Sequence, residues 1–262
     1  MLTSRQNPLI KTLRSLHTVK GRSQQKQFLL EGTHLIQAAV RAAYPLTVLC
    51  YSDRWRESEP ALWSILESQV PRLECCSDEL LDYAATTVNS DGIMAIATMP
   101  TPATLELPQK LGLLLQTLQD PGNVGTILRT AAATGIDGIW LSEDSVDPTH
   151  PKLLRASAGC WFNVPLQGCE NSLEWVDRCQ QKGLQIVATS SHASQSYWDI
   201  NFSRPTIVIM GNEGMGLPLN LQEKADQVVK IPINSGVESL NVAIATALIL
   251  YEAKRQRLIH NS

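Results

Sequence analysis

The stretch Ile207–Asn220, "IVIMGNEGMGLPLN", decides how the rest of the chain is read. Its apolar, β-branched start, taken back to Thr206, predicts a strand over 206–211. Three glycines follow, Gly211, Gly214 and Gly216, in the order G-x-x-G-x-G. That reverses the dinucleotide fingerprint G-x-G-x-x-G, and no Gly-Lys-Ser/Thr is present to make a phosphate-binding P-loop. Glu213, in the middle of the loop, would repel a phosphate by like charge. Glycines at the end of a strand allow positive φ and close backbone approach, so amides and carbonyls can grip a ligand directly. Such a loop suits a ligand with no phosphate and preferably some positive charge. Taken alone, the motif is also what an ordinary strand-to-helix turn looks like.

Working outward, "LGLLLQTL" (111–118), "GIWLSE" (138–143), "LQIVATS" (184–190) and "QVVKIPI" (227–233) predict four more strands. Helices are expected between them, at about 123–134, 151–158, 171–182 and 218–224, with a last one from about 239 to 257. Apolar strands alternating with helices imply an α/β fold with a parallel sheet covered on both faces. Ligands on such sheets sit beyond the carboxyl ends of the strands. Ahead of this domain, "MPTPATLELP" (99–108) holds three prolines and no helical pattern, so it reads as a linker. Residues 1–98 then form a smaller α/β domain. In it Asn7 caps a helix with Pro8 at its first position, and Leu9, Leu13 and Leu16 share one face. "FLLEG", "LTVLCYS" and "GIMAIATM" are its strands, and "THLIQAAVRAA" and "ALWSILESQ" are further helices. The expected division is therefore 1–98, a linker over 99–108, and 109–262.

Composition narrows the class. The 262 residues are 44% hydrophobic and 18% charged, as in an ordinary globular protein. Arg5, Lys11 and Arg14 interrupt every apolar run near the N-terminus, so no signal peptide is read there. The longest nearly apolar stretch, Val242–Tyr251, is far shorter than the roughly 20 residues that cross a bilayer. No membrane partner is expected, and the location is expected to be cytoplasmic. Six cysteines form no C-x-x-C pair, so neither a metal site nor a disulfide framework is expected. Net charge is −3, yet residues 1–30 carry Arg5, Lys11, Arg14, Lys20, Arg22 and Lys26 with no acid before Glu31. A local basic arm is the footprint of a nucleic-acid binder, or else a solvated terminus.

Two further loops could meet the first. In "QDPGNVGTILRTAAATG", Asp120, Pro121 and Gly122 make a turn and Asn123 can cap the helix. Val124, Ile127, Leu128 and Ala131 fall on one stripe and Arg129 on the opposite side. In "IPINSGVESLNVAIATALILYEAKRQ", a strand ends at Ile233, a turn runs through Asn234–Gly236, and Ser239 or Glu238 starts a helix. That helix is apolar nearly all round, so it must be buried in the domain or against a partner. Ser239 and Asn241 are the polar exceptions at its start. A phosphate-free ligand carrying a sulfonium cation, S-adenosylmethionine, has the character the glycine loop asks for.

"DPGNVGTILRTA", "RASAG", "MGNEGMGL" and "IPINSGVESLNVAIATALILYEAKRQ", in that order and spacing, resemble the SpoU (TrmH-type) branch of the SPOUT RNA methyltransferases. The resemblance covers residues 110–258, and "TSRQNPLIKTLRSLH" with "FLLEG" looks like the RNA substrate-binding domain attached to many of these enzymes. Cys160 and Trp161 depart from it, standing where a smaller residue is common. The resemblance implies a deep trefoil knot near the C-terminus, a homodimer, and S-adenosylmethionine held in the knot. It places the cofactor against Thr189, Ile209, Met210, Gly211, Gly214, Gly216, Ile231, Ile233, Ser239, Leu240 and Asn241.

By the same resemblance the reaction is methyl transfer to a ribose 2′-oxygen in RNA. Large-subunit ribosomal RNA is the expected substrate, with transfer RNA as the alternative; a non-catalytic RNA binder that kept the fold is the other reading. Arg129 matches the position assigned to handling the reacting hydroxyl, either as base or by binding the adjacent phosphate. Asn123, Glu213, Ser239 and Asn241 match the polar residues that orient it, with Glu213 holding Arg129 or Asn123. RNA contacts are expected from Arg5, Asn7, Lys11, Arg14, Arg22, Glu31 and Arg155.

Overall fold

The structure, a computed structural model, describes residues 1–100 and 105–260. The proline-rich linker therefore lies partly outside the described residues. In chain order the first elements are α1 (Pro8–Ser15), α2 (Val19–Gln25), β1 (Gln27–Glu31), α3 (Thr33–Arg41), β2 (Leu46–Tyr51), α4 (Asp53–Ser58), α5 (Pro60–Gln69), β3 (Leu73–Cys75), α6 (Asp78–Ala84) and β4 (Ile93–Thr98). Then come β5 (Leu111–Leu115), α7 (Pro121–Thr134), β6 (Gly138–Ser142), α8 (Pro151–Ala156), β7 (Leu166–Cys169), α9 (Ser172–Gln181) and β8 (Gln185–Thr189). The chain ends with β9 (Gln195–Ser196), β10 (Thr206–Met210), α10 (Leu219–Lys224), β11 (Gln227–Lys230) and α11 (Val242–His260).

Two compact units result: Met1–Thr101 with Asp147–Asn163, and Pro102–Val146 with Val164–Ser262. Residues 147–163, which the sequence pattern puts with the second domain, thus group with the first. The reason is side-chain chemistry that periodicity does not show. Asp147 takes a buried ion pair from Arg22 at 2.6 Å, and Arg155 reaches Glu31 at 3.0 Å. Trp161 packs on Phe28 and Tyr44, with ring centroids 5.3 and 5.7 Å away.

Unit one is a four-stranded sheet in the order β1-β4-β2-β3. β4 is antiparallel to both its neighbours, and only β2 and β3 run parallel. α1 forms as its residues dictate: Asn7 Oδ1 accepts from Leu9 N at 2.9 Å, and Pro8 occupies the first turn, where its missing N–H costs nothing. Leu9, Ile10, Leu13 and Leu16 bury, leaving Lys11 and Arg14 exposed.

Unit two is a seven-stranded sheet in the order β7-β6-β5-β10-β8-β11-β9, and every pairing in it is parallel. β5 and β10, neighbours at its centre, are buried along their whole length. Such continuous apolar strands are what helices on both faces require. β10 pairs with β5 on one side and β8 on the other, so the glycine loop that follows it opens above mid-sheet. α11 corrects one expectation. It begins at Val242 rather than near Ser239, because Asn241 Oδ1 accepts from Ala243 N at 2.9 Å and caps it there. Nor is it covered all round. Val242, Ala243, Thr246, Ile249, Leu250 and Ala253 bury, while Ile244, Leu248 and Tyr251 stay 55%, 39% and 52% exposed. Among the described residues no helix is long and apolar enough to cross a membrane.

Candidate active site

Three segments of unit two meet through side-chain amides. α7 starts earlier than the sequence suggests: Asp120, not Asn123, is its N-cap, with Oδ1 accepting from Gly122 N at 2.6 Å. Asn123 is left in the first turn with its amide free for tertiary contacts. Asn241 Nδ2 donates to Asn123 Oδ1 at 3.0 Å, and Asn123 Nδ2 donates to Glu213 Oε1 at 3.0 Å. The direction of this relay is forced. Ala243 N can only donate, so the Asn241 oxygen must face it and the Asn241 amino group must face Asn123. The Asn123 oxygen then faces Asn241 and its amino group faces the acceptor-only carboxylate.

The loop that carries Glu213 is built around Asn212. Its Oδ1 accepts from Gly214 N and Met215 N, each at 2.9 Å, and its Nδ2 donates to Thr117 O at 2.8 Å. Backbone bonds between Asn212 and Gly216 close the turn at 3.1 and 3.0 Å. Gly211 is obligatory here. A Cβ on it would lie 2.5 Å from the backbone of Gly216 and of Leu217. Gly216 sits at φ +69°, the left-handed region that glycine enters at least cost. Sequence reasoning did not single out Asn212; its signal was an Asn heading a glycine turn, where its side chain bonds the backbone two residues on.

Arg129 lies on the exposed side of α7, and among the described residues its guanidinium has no hydrogen-bond or ion-pair partner. Glu213 therefore orients Asn123 rather than Arg129. Ser239 is exposed and likewise unbonded among the described residues, on a stretch, 232–239, that is exposed throughout. Thr189 ties the end of β8 to its sheet neighbour β10, its Oγ1 donating to Ile209 O at 3.0 Å. Ile209, Met210 and Gly211 are buried, Gly214, Gly216 and Ile233 are exposed, and Ile231 and Leu240 are half-buried. Ile231 and Ile233 lie beyond the end of β11 at Lys230, not within a strand, because Pro232 removes the ladder donor between them.

These positions fit the cofactor that the sequence suggests. Across 209–216 and 231–241 there is no basic side chain to hold a phosphate, and Glu213 and Glu238 are the charged groups. The donor set is backbone amides, carbonyls and short polar side chains over an apolar floor, which suits an adenosine bearing a cationic sulfur. Among the described residues no group of three or more His, Cys, Asp or Glu could hold a metal ion. The cysteines are all free thiols.

The residues expected to touch RNA divide within unit one. Arg5, Lys11 and Arg14 are exposed, and Asn7 is the α1 cap. Arg22 is 0% exposed; it donates to Leu16 O at 2.9 Å and His17 O at 3.0 Å besides its pair with Asp147. Glu31 is buried as well, accepting from Thr86 N at 3.0 Å, Thr86 Oγ1 at 2.6 Å, Thr87 N at 3.1 Å and the Thr87 hydroxyl. Burial works to raise the Glu31 carboxyl, but these donors and Arg155 outweigh it and hold it below its ordinary value. Asp147 is held low in the same way, burial being overcome by Thr149 and Arg22. Arg22 and Glu31 are thus internal braces of the unit rather than part of an RNA-facing surface. Arg155 spends its Nη1 on Glu31 and Thr86 while its side chain remains partly exposed.

The chain resembles known proteins in both parts. Residues 110–251 match the model of the SpoU rRNA methylase family, and residues 7–95 match that of the MRM3-like substrate-binding domain. The chain is 48% identical to an uncharacterized tRNA/rRNA methyltransferase of Synechocystis sp., over 98% of this chain and 94% of that one. It is 31% identical to the 23S rRNA (guanosine(2553)-2′-O)-methyltransferase of Bacillus subtilis, over 97% of this chain and 98% of that one. The AdoMet-bound rRNA methyltransferase from Sinorhizobium meliloti superposes with a TM-score of 0.84 at 30% identity, covering 97% of both chains. With its glycine loop, its Asn–Asn–Glu relay and a family match across more than half its length, the chain belongs to the SpoU rRNA methylase family.

Proposed function

We propose that the protein is an S-adenosylmethionine-dependent RNA methyltransferase that methylates a ribose 2′-hydroxyl in large-subunit ribosomal RNA. The observation that carries the site is the relay Asn241–Asn123–Glu213, which brings three distant motif segments onto one spot of α7, the helix that also bears Arg129. The relatives named as 23S rRNA 2′-O-methyltransferases support the substrate class. Bound by the loops around 187–190, 209–216 and 231–241, S-adenosylmethionine supplies a methyl group made electrophilic by its cationic sulfur. The chain's own residues then have to align the ribose oxygen and help its proton leave.

Arg129 is cast as an anion holder rather than a base. An arginine stays protonated in proteins and offers five donors, so an exposed one with no partner among the described residues suits the phosphate beside the reacting ribose. A cation held there also favours the ionised hydroxyl oxygen. Asn123, fixed at both ends of its amide, and Ser239, two residues ahead of Asn241 and with no hydroxyl bond among the described residues, position the ribose. Residues 1–98, with 147–163 packed on them, serve as the RNA substrate-binding part, and 99–108 join them to the catalytic part formed by the rest of 109–262.

Two structural features belong to the same proposal. The C-terminal segment is tied in a deep trefoil knot. In support, the chain leaves β11 beyond β8, yet α11 packs on α7, with Lys254 Nζ donating to Ala133 O at 2.7 Å. The protein is also a homodimer, and the exposed row Ile244, Leu248 and Tyr251 on α11 is the surface a second copy covers. The direct experiment incubates the purified protein with labelled S-adenosylmethionine and protein-free large-subunit RNA, then maps 2′-O-methyl sites. One discrete methylated ribose is expected; methyl groups on bases alone, or none, would overturn the reading.

A further inference from the structure

Unit one gathers two of the arginines expected to touch RNA around one aromatic ring. Tyr83, half-buried in the last turn of α6, has two arginines over its ring: Arg5 Cζ lies 4.4 Å from the centroid and Arg14 Cζ 4.2 Å. Arg14 also donates from Nη1 to Tyr83 O at 3.3 Å, which caps the carboxyl end of α6, where a cation is favoured. Capping accounts for Arg14 alone. Arg5 comes from the segment ahead of α1, and among the described residues no carboxylate or carbonyl accepts from its guanidinium. Two cations brought to one ring, neither in an ion pair among the described residues, concentrate positive charge that suits an outside anion.

The surroundings hold this ring in place. His17 Nε2 bonds Ala84 O at 2.9 Å, directly after Tyr83. The loop that follows is anchored at three points: Thr86 and Thr87 on buried Glu31, and Ser90 N on Asp82 Oδ1 at 3.3 Å. Its tip, Val88, is nonetheless 95% exposed. A braced loop beside an aromatic ring, with two exposed arginines over that ring and a bare apolar tip, has the chemistry of a nucleotide site.

We propose that Tyr83 is the stacking platform for one unpaired nucleotide of the RNA, with Arg5 and Arg14 holding the phosphates that flank it. The inference rests on the RNA-methyltransferase reading above and names the RNA feature this unit takes: a loop or bulge rather than a duplex. A paired base has no free face, whereas an unpaired one stacks on tyrosine and on the guanidinium plane alike. An arginine leaving the ring for a phosphate exchanges a cation–π contact for an ion pair and uncovers the ring for the base.

The test uses the full-length protein, a short stem-loop RNA with 2-aminopurine at one unpaired position, and protein-free large-subunit RNA. Stacking should quench the 2-aminopurine emission on binding to the unaltered protein, a readout that needs no variant. Tyr83→Phe should bind within twofold of the parent, and Tyr83→Leu about tenfold more weakly with an unchanged salt slope. Arg5→Ala and Arg14→Ala should each lower the slope of log affinity against log salt by about 0.7. At saturating RNA, Tyr83→Leu should reach the parent's methylation rate but need about tenfold more RNA to do so. S-adenosylmethionine binding and thermal midpoint should not move. Unquenched emission, Tyr83→Leu binding within twofold of the parent, or an unaltered slope in both arginine variants would each overturn the proposal. A parent protein that quenches the probe yet methylates no ribose would instead remove the functional reading and leave the Tyr83 site standing.

Discussion

Asn123 donates from Nδ2 to Glu213 Oε1 across 3.0 Å, although 90 residues separate them. Its other amide atom is engaged by Asn241, so the side chain has one orientation. Asn123→Asp keeps the shape but sets two carboxylates against each other. It should therefore be worse than Asn123→Ala, which merely empties the spot. Displacing a positioning group in this way costs on the order of 100-fold in rate. Single-turnover methyl transfer by the two variants checks the order; equal rates would show that the Glu213 contact is incidental.

Gly211 and Gly214 lie in one loop and should respond oppositely to alanine. A Cβ at Gly211 meets backbone at 2.5 Å, which cannot yield without opening the turn. At Gly214 the nearest atom is Asn212 Oδ1 at 3.7 Å, an ordinary contact. Gly211→Ala should lose about 1–3 kcal/mol and most cofactor affinity, while Gly214→Ala should remain within about 0.5 kcal/mol of the parent. Thermal unfolding paired with calorimetric titration reads both.

The braces of unit one predict an acid-labile protein. Glu31 and Asp147 both titrate lower when folded than their ordinary values. The unfolded chain therefore binds more protons in that range, and stability rises with pH through it. Their contribution is complete above the ordinary carboxylate values of about 4 and disappears as pH falls through the lowered ones. Asp147→Asn leaves the Arg22 guanidinium buried without its counter-ion, which costs about 3–5 kcal/mol at neutral pH. It should also flatten the acid limb of the stability curve. His17, lowered chiefly by burial, acts in a separate window: its stabilisation is complete above pH 6.5 and fades as pH falls below it. Melting curves from pH 3 to 8 separate the two groups.

On α11, Ile244, Leu248 and Tyr251 recur every three or four residues and so form one stripe. Leu248→Lys puts a charge in its middle. If a second copy covers this stripe, light scattering should show a dimer for the parent and a monomer for the variant, with methylation falling alongside. A monomeric parent would remove the homodimer from the proposal.

Much of unit two was legible in sequence because its long strands are apolar throughout and its helices strongly periodic. The β5, β6, β8, β10 and β11 strands all lie within the stretches that pattern assigns. Short or polar elements were not: β7 contains Gly168 and is largely half-exposed, and β9 is two residues long. Where Asp120 and Asn123 both offer caps three residues apart, Pro121 settled the matter by fixing the first helical position. Asn123, Glu213 and Asn241, singled out by motif, do come together, but which of them bond did not follow, since Glu213 could have served Arg129 as well as Asn123. Charge also misled locally: Arg22 belongs to a basic stretch by sequence, yet its partner Asp147 lies 125 residues away.

The sharpest measurement titrates S-adenosylmethionine calorimetrically into the parent and into Arg129→Ala, then follows methyl transfer to protein-free large-subunit RNA by both. Equal cofactor affinity, with 2′-O-methylation present in the parent and reduced at least 100-fold in the variant, is the expected result. A parent that takes up no S-adenosylmethionine, or an Arg129→Ala enzyme that turns over normally, would contradict the site as drawn.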